Sequence, residues 1–296
     1  KGSSDIPRDI EKGLSMFRLA VEQNYKAATR DLARYYYSLE TEEDNRKALD
    51  YYLQYIEYNP KDTDTLLHIG LIYESGLGVP LNIDLARRYY ERAAEQDETG
   101  MAYNFLGGTY MNDEETESNE QKAVHYFQKA IELGNTNAMF RISYYLHNGK
   151  GGLQVDIPRE IELLTEASKR GNHQATYRLG LLFEDNESGM AQNLELSVKY
   201  FQLAADNGIL AAINKMGELY LFGEVIPANL TKAISCFTAA SEQGYGKASY
   251  WLGRLHTDGI GQLEKDTQKA MNYYRKAIEQ GYEEAREWME QLQKNL

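Results

Sequence analysis

The sequence predicts an all-α fold, a solenoid of about seven helix pairs with a lone helix at each end. Three observations predict it. A small residue returns every 36 or 37 positions, at Ala33, Gly70, Gly107, Ser143, Gly180, Gly217 and Gly253. Around each one the apolar residues step in fours, which is one stripe of an α-helix. Later in each period a second helical stripe follows and closes on a residue suited to a helix C-cap. A fixed period of this length carrying two helices is the signature of stacked repeats, in which each unit buries its apolar face on the next.

The first stripe defines helix A. Five positions before the small residue stand Ala28, Thr65, Ala102, Ala138, Ala175, Ala212 and Ala248, and one position before it stands Leu, Ile or Met. Three positions after it come Tyr36, Tyr73, Tyr110, Leu146, Phe183, Tyr220 and His256. The second stripe defines helix B. Ala48, Ala86, Ala123, Ser197, Ala233 and Ala270 each precede a bulky pair by three residues. The pairs are Tyr51-Tyr52, Tyr89-Tyr90, Tyr126-Phe127, Tyr200-Phe201, Cys236-Phe237 and Tyr273-Tyr274. Repeat four departs, with Glu160 at the small position and Leu163-Leu164 as its pair. Helix B then ends on Gly134, Gly171, Gly208, Gly244 or Gly281, with Asn59 and Asp97 in the first two repeats.

In chain order this gives an N-terminal half-repeat helix over 1–24. Seven repeats follow at about 25–60, 61–98, 99–135, 136–172, 173–209, 210–245 and 246–282, then a closing helix over 283–296. The first element reads as a lone helix B with Met16-Phe17 as its bulky pair and Ala20 one turn on. Because a helix B needs a helix A before it, further repeats or another capping element are expected ahead of Lys1. In the last element Ala285 and Met289 continue the helix A stripe and Glu290 replaces the small residue, as a polar closing helix requires.

Glycine inside a helix costs roughly 1 kcal/mol relative to Ala. Five of them at one register position are tolerated where a neighbouring helix passes close to the backbone, so each is expected to mark the crossing of helices A and B. The bulky pairs are expected to fill the wider space between neighbouring units.

These residues carry a family resemblance. The run 248–259, Ala-Ser-Tyr-Trp-Leu-Gly-Arg-Leu-His-Thr-Asp-Gly, followed by Lys-Ala-Met-Asn-Tyr-Tyr-Arg-Lys-Ala-Ile-Glu-Gln-Gly over 269–281, resembles the Sel-1-like repeat, a branch of the tetratricopeptide superfamily. The resemblance covers nearly the whole chain. It implies a right-handed α–α superhelix whose members mostly act as adaptors and scaffolds. The first and third repeats lack the family's late glycines, carrying Leu39-Glu-Thr-Glu-Glu-Asp and Asn112-Asp-Glu-Glu-Thr-Glu, so shorter or more mobile loops are expected there.

Composition excludes some functions. With 45 acidic and 32 basic residues the net charge is −13, which disfavours nucleic acid and anionic membrane as partners. Solubility of an elongated molecule accounts for the acidity, and a basic protein partner is the alternative. No apolar run approaches 18 residues, so no direct membrane insertion is expected. Cys236 is the only cysteine. It leaves the compartment open: cytoplasmic or, if a signal segment is removed, periplasmic or lumenal.

No catalytic, cofactor or metal set emerges. His68, His125, His147, His173 and His256 lack paired-ligand spacing, and His256 falls at the packed aromatic position of helix A. Cys236 is expected to be a buried small hydrophobe. The run Gly149-Lys-Gly-Gly152 lacks the spacing of a phosphate loop. Sequons at Asn186 and Asn229 fall in loops between helices A and B.

The face of helix A opposite its packed stripe is the surface that can be named. By similarity to tetratricopeptide superhelices it lines a concave side. Its residues vary between units and are rich in aromatics, the composition of a protein-binding surface. The expected partner-binding set is Arg34, Tyr37, Asn104, Phe140, Tyr144, Tyr177, Leu181, Asn214, Glu218, Tyr250 and Arg254. On one edge the loops with Glu40, Glu42, Glu43 and Asp44, with Asp113, Glu114, Glu115 and Glu117, and with Glu184, Asp185 and Glu187 form an expected acidic ridge. The expected function is a non-enzymatic scaffold that binds a protein or peptide. One alternative is an immunity protein capping a bacterial toxin or secreted effector, the acidic edge serving a basic target. Another is an adaptor subunit of a membrane-associated quality-control or secretion complex. The oligomeric state is left open.

Overall fold

A computed structural model of the chain describes residues 10–114, 116–185, 192–260 and 263–294. Among these the fold is all-α, sixteen helices with no strand. The chain forms two compact units, Lys1–Asp156 and Ile157–Leu296.

The first unit holds α1 (Ile10–Glu22), α2 (Lys26–Tyr37), α3 (Glu42–Tyr58), α4 (Thr63–Ser75), α5 (Ile83–Ala94), α6 (Met101–Met111), α7 (Glu117–Glu132) and α8 (Thr136–Asn148). The second holds α9 (Ile157–Lys169), α10 (His173–Glu184), α11 (Leu194–Asp206), α12 (Leu210–Phe222), α13 (Leu230–Glu242), α14 (Gly246–Asp258), α15 (Thr267–Glu279) and α16 (Ala285–Lys294). Within each unit successive helices pack on one another, and the tightest partners are the A and B helices of one repeat, such as α4 with α5 and α14 with α15. Helix starts follow side-chain chemistry. Thr41, Asp62, Asn82, Asn135, Asn172, Asn193, Asn229 and Asp266 each accept a hydrogen bond from a backbone N–H three residues on, satisfying a donor the helix itself cannot. The loops lacking glycine, 38–41 and 112–116, are shorter than 76–82 and 149–156.

The glycines of helix A mark the crossing of A and B, as their spacing predicts. A Cβ on Gly107 would lie 2.5 Å from the Phe127 ring, on Gly180 2.6 Å from Phe201, and on Gly253 2.6 Å from Tyr274. Gly70 stands against Tyr90 and Gly217 against Phe237 in the same manner. Each ring is the second residue of a bulky pair and is wholly buried. The first residue of the pair does something else. It stacks on the ring three positions after the small residue of the same repeat: Tyr51 on Tyr36 at 5.8 Å, Tyr89 on Tyr73 at 6.0 Å, Tyr126 on Tyr110 at 5.7 Å, Tyr200 on Phe183 at 5.7 Å and Tyr273 on His256 at 5.7 Å. The bulky pairs thus divide their work: the first ring stacks within its own repeat, and the second also meets the next one, so the pairs do not simply fill the space between units as expected.

Two terminal expectations differ in outcome. In α1 the predicted pair is not packed: Met16 is 59% and Phe17 42% exposed. Leu14 and Val21 face the core instead, and Arg18 donates to the Tyr36 hydroxyl at 2.8 Å. In α16 Ala285 is buried and Met289 packs beside Trp288 and Leu292, on the predicted stripe.

Glu160 explains why repeat four departs from its pattern. The carboxylate is fully buried; its Oε1 accepts a hydrogen bond from Arg178 Nε of α10 at 3.1 Å and forms an ion pair with Nη2, also at 3.1 Å. A small residue there would leave that guanidinium unpaired.

Candidate functional site

The predicted partner-binding residues separate into three groups. Some tie successive A helices together. Arg34 of α2 pairs with Asp64 of α4 at 2.6 Å, and Arg30 reaches Asp62 at 3.4 Å. Tyr37 meets His68 edge-on at 5.3 Å. In the second unit Glu218 of α12 accepts from Trp251 Nε1 at 2.9 Å and from Lys247 Nζ at 2.8 Å, both on α14. Lys215 extends this ladder to Glu184 of α10 at 2.8 Å.

In a second group Asn104 and Asn214 are interior, which corrects the expectation for those two, while Tyr177, Tyr250 and Arg254 are half-buried in ring packing. Asn104 is 5% and Asn214 2% exposed. Asn214 donates to Glu218 at 2.9 Å, and neither Oδ1 is offered to solvent. Tyr250 lies among Trp251, Tyr274, Tyr282 and Trp288, with ring centroids 5.2–6.3 Å apart. Arg254 lies 3.8 Å over the Trp288 ring and donates to the Tyr250 hydroxyl, so both belong to the α14–α16 packing. Tyr177 packs on Phe201, and burial pushes its hydroxyl up to about 12. The physical reason differs between them: Asn214 is tied to Glu218, which takes donors from the next A helix, whereas Tyr177 and Tyr250 lean on the helix B rings Phe201 and Tyr274 of their own repeats and Arg254 on Trp288 of α16.

The third group remains accessible. Tyr144 is 39% exposed with Lys150 over its ring at 5.5 Å, while Phe140 and Leu181 are half-buried.

Sequence reasoning missed the position two before the small residue. His68, Phe105, Arg141, Arg178, Lys215 and Trp251 stand there. Five of them lie on the buried ring of the preceding repeat or beside it: His68 on Tyr52 at 5.3 Å, Phe105 on Tyr90 at 5.2 Å, Arg141 over Phe127 at 5.9 Å, Lys215 over Phe201 at 5.7 Å and Trp251 on Phe237 at 5.9 Å. The signal was present, since every one of them is aromatic or a long cation. It did not look like a repeat because the residue type changes along the array, from aromatics to cations and back, and the first repeat has Asp31 there.

In the first unit this position opens onto a cavity of about 640 Å³. Leu71, Glu74 and Ser75 of α4, Leu81 and Ile83, Phe105, Gly108 and Thr109 of α6, Asn112, Asp113, and Arg141 of α8 line it. Gly108 holds the position that carries Arg34, Leu71, Tyr144, Leu181, Glu218 or Arg254 in other repeats, so no side chain fills the space. The Arg141 guanidinium lies directly against that glycine, and a Cβ there would collide with Nη1. Tyr90 donates its hydroxyl to Glu74 at 2.6 Å. Asp113 takes Arg87 Nη2 at 2.8 Å, a bond that holds its carboxyl below the ordinary range. A second cavity of about 620 Å³ in the other unit is lined by Val198, Leu203, Met216, Tyr220, Pro227 and Lys232.

The acidic loops have structural employment. Glu42, Glu43 and Asp44 occupy the first turn of α3, where a helix favours negative charge, and Lys47 pairs with Glu43 at 2.7 Å. Glu115, Glu187 and the Asn186 sequon lie outside the described residues. Asn229 caps α13, accepting from Lys232 N at 3.0 Å. Cys236 is half-buried rather than buried, and burial pushes its thiol up. His256 packs on Tyr273, and burial lowers its affinity for a proton. Among the described residues no group of three His, Cys, Asp or Glu could hold a metal ion, and no helix is long and apolar enough to cross a membrane.

Comparison with known proteins agrees with this construction. A family model described as Sel1 repeat matches residues 1–25, 26–54, 64–98, 100–135, 136–172, 173–209, 210–245 and 246–282. The Sel1-repeat-containing protein YjcO of Escherichia coli K12 is 34% identical over 70 residues, 23% of this chain and 31% of YjcO. The chain thus matches about a third of that relative's length. A Sel1 repeat protein from Oxalobacter formigenes superimposes with a TM-score of 0.74 at 22% identity, over 83% of this chain and 98% of that one. A protective antigen of uropathogenic Escherichia coli with an SLR fold gives 0.68 at 23% identity, over 94% of this chain and 59% of that one. At these identities the structures show the fold alone. With eight matched repeats running from residue 1 to residue 282, the chain belongs to the Sel1 repeat family.

Proposed function

We propose that this protein is a non-enzymatic scaffold that holds a segment of a partner protein on the helix A face of its first unit, at the cavity between α4, α6 and α8. One observation carries the reading. On that face Gly108 removes a side chain where other repeats have one, and leaves Leu71, Leu81, Ile83 and Phe105 around an open space. A cavity of this size with apolar walls and a few polar groups suits a short run of side chains. Elsewhere on the same face, ion pairs and ring packing cover much of the surface, with Phe140, Tyr144 and Leu181 left accessible.

A photo-crosslinking residue placed at Leu81, which is 64% exposed on the cavity rim, tests this in cells expressing the protein. The same residue at Gln128, exposed on helix B of the next repeat, is the comparison. Crosslinks to a discrete partner from position 81 and none from position 128 are expected. Equal crosslinking from both positions, or none from either, overturns the assignment.

A further inference from the structure

Three A helices carry a long cation two positions before the small residue: Arg141, Arg178 and Lys215. Two are neutralised within the molecule. Arg178 has the buried Glu160 at 3.1 Å. Lys215 lies over the Phe201 ring and has Glu184 at 2.8 Å, with Glu218 at 3.9 Å. In register terms, Glu184 comes from four positions after the small residue of the preceding repeat, and Glu218 from one position after that of its own.

Arg141 repeats the first half of this arrangement and lacks the second. It lies over the Phe127 ring at 5.9 Å, as Lys215 lies over Phe201. The positions equivalent to Glu184 and Glu218 are Met111 and Tyr144. Among the described residues Arg141 makes no hydrogen bond or ion pair. The carboxylates that share its cavity are already engaged, Asp113 by Arg87 at 2.8 Å and Glu74 by the Tyr90 hydroxyl at 2.6 Å. Arg141 is half-buried, and its guanidinium sits over Gly108 on the cavity floor.

The geometry points to a carboxylate of the partner as the missing counter-ion: the first unit binds an acidic side chain flanked by apolar residues, the carboxylate on Arg141 and the apolar neighbours on Leu71, Leu81 and Phe105. This rests on the reading that the cavity is a partner site and adds the chemistry of what enters it. A guanidinium fork matches a carboxylate with two parallel donors. Two nearby carboxylates make the cavity hostile to a dianion, so a singly charged carboxylate fits better than a phosphate. The net charge of the whole chain, −13, points the other way, towards a basic partner; at contact distance the local unpaired cation governs, because distant charges are screened beyond about 10 Å.

The test uses two fluorescently labelled hexapeptide pools, acetylated and amidated, identical except that a central Glu is replaced by Gln. The flanking positions are drawn from Leu, Phe and Met. Polarisation titrations with the full chain should show the Glu pool binding about tenfold more tightly than the Gln pool, the effect of one charge-assisted pair. Arg141→Gln should erase the preference, and Arg141→Lys should restore part of it. Leu81→Asp should weaken both pools. Circular dichroism melts of each variant establish that the fold is kept.

If the two pools bind alike and Leu81→Asp still weakens both, the carboxylate assignment is overturned while the site stands. A preference that survives Arg141→Gln overturns it as well. Inorganic phosphate that displaces the Glu pool at equal concentration overturns it in favour of a small-anion site. If neither pool binds and crosslinking from position 81 is absent, the inference and the reading beneath it fall together. Crosslinking that persists without peptide binding overturns the inference alone.

Discussion

Arg178 closes over Glu160 with a hydrogen bond from Nε and an ion pair from Nη2, both at 3.1 Å, the guanidinium partly exposed and the carboxylate wholly buried. The pair joins α9 to α10 where every other helix B of the series has a small residue.

Breaking that pair from one side leaves an uncompensated buried charge. Arg178→Ala should lower stability by about 3–5 kcal/mol, and the double variant Glu160→Leu with Arg178→Met should recover most of it. Urea titrations followed by helicity measure both. A double variant no more stable than Arg178→Ala would show that the site needs the ion pair itself.

Replacing the crossing glycines should have a sign opposite to replacing an exposed one. In Gly180→Ala the new methyl meets Phe201 at 2.6 Å, so overpacking of about 1–3 kcal/mol outweighs the helix-propensity gain of about 1 kcal/mol. Gly13 lies within α1 with nothing within 4 Å, and Gly13→Ala should stabilise that helix by about 0.5–1 kcal/mol. Thermal melts of the two variants should shift in opposite directions.

Adjacent tyrosines report the two faces of α8. Tyr145 is 1% exposed and Tyr144 39%. Tyr145→Ala should cost about 3–5 kcal/mol, and Tyr144→Ala less than about 1 kcal/mol. Comparable losses at the two positions would mean that Tyr144 is packed.

Stability should hold through neutral pH and fail in alkali. Burial raises the hydroxyls of Tyr145, Tyr177 and Tyr274 from an ordinary value near 10 to about 12. The neutral form is favoured in the folded state, so this contribution is complete below pH 10 and is lost as pH rises from there through 12. Phenolate absorbance and helicity, followed together in an alkaline titration, should change in one step. A phenolate signal from these tyrosines near pH 10 with the helices intact would contradict their burial.

The period, the helix pairs and the crossing glycines were legible in the sequence because each depends on spacing along one chain. Register alone does not name the ring under Gly180: Phe201 is expected in the space between units, and the structure lays it under the glycine of its own repeat. The free face of helix A was less legible. Asn104 and Asn214 look like surface residues by type, yet the approach of the next A helix buries them. That distance between neighbours is set by side chains in another repeat, so no stripe within one helix encodes it. The same limit hid Arg141: its lack of a partner appears only beside Lys215, whose two carboxylates come from positions that hold Met111 and Tyr144 in the first unit.

In five repeats the buried second ring of helix B lies under the glycine of its own helix A and, in four of these, also under a residue of the next repeat. Such a ring makes each repeat a lock for its successor's key. Exchange of single repeats between positions would therefore set keys against rings they do not match. Trp251 in the place of Arg141 would lay an indole over Phe127 and erase a cation, and Arg141 in the place of Trp251 would put a guanidinium beside the Lys247 ammonium at Glu218. Repeats can therefore be reshuffled only with compensation, which gives each one an address within the chain.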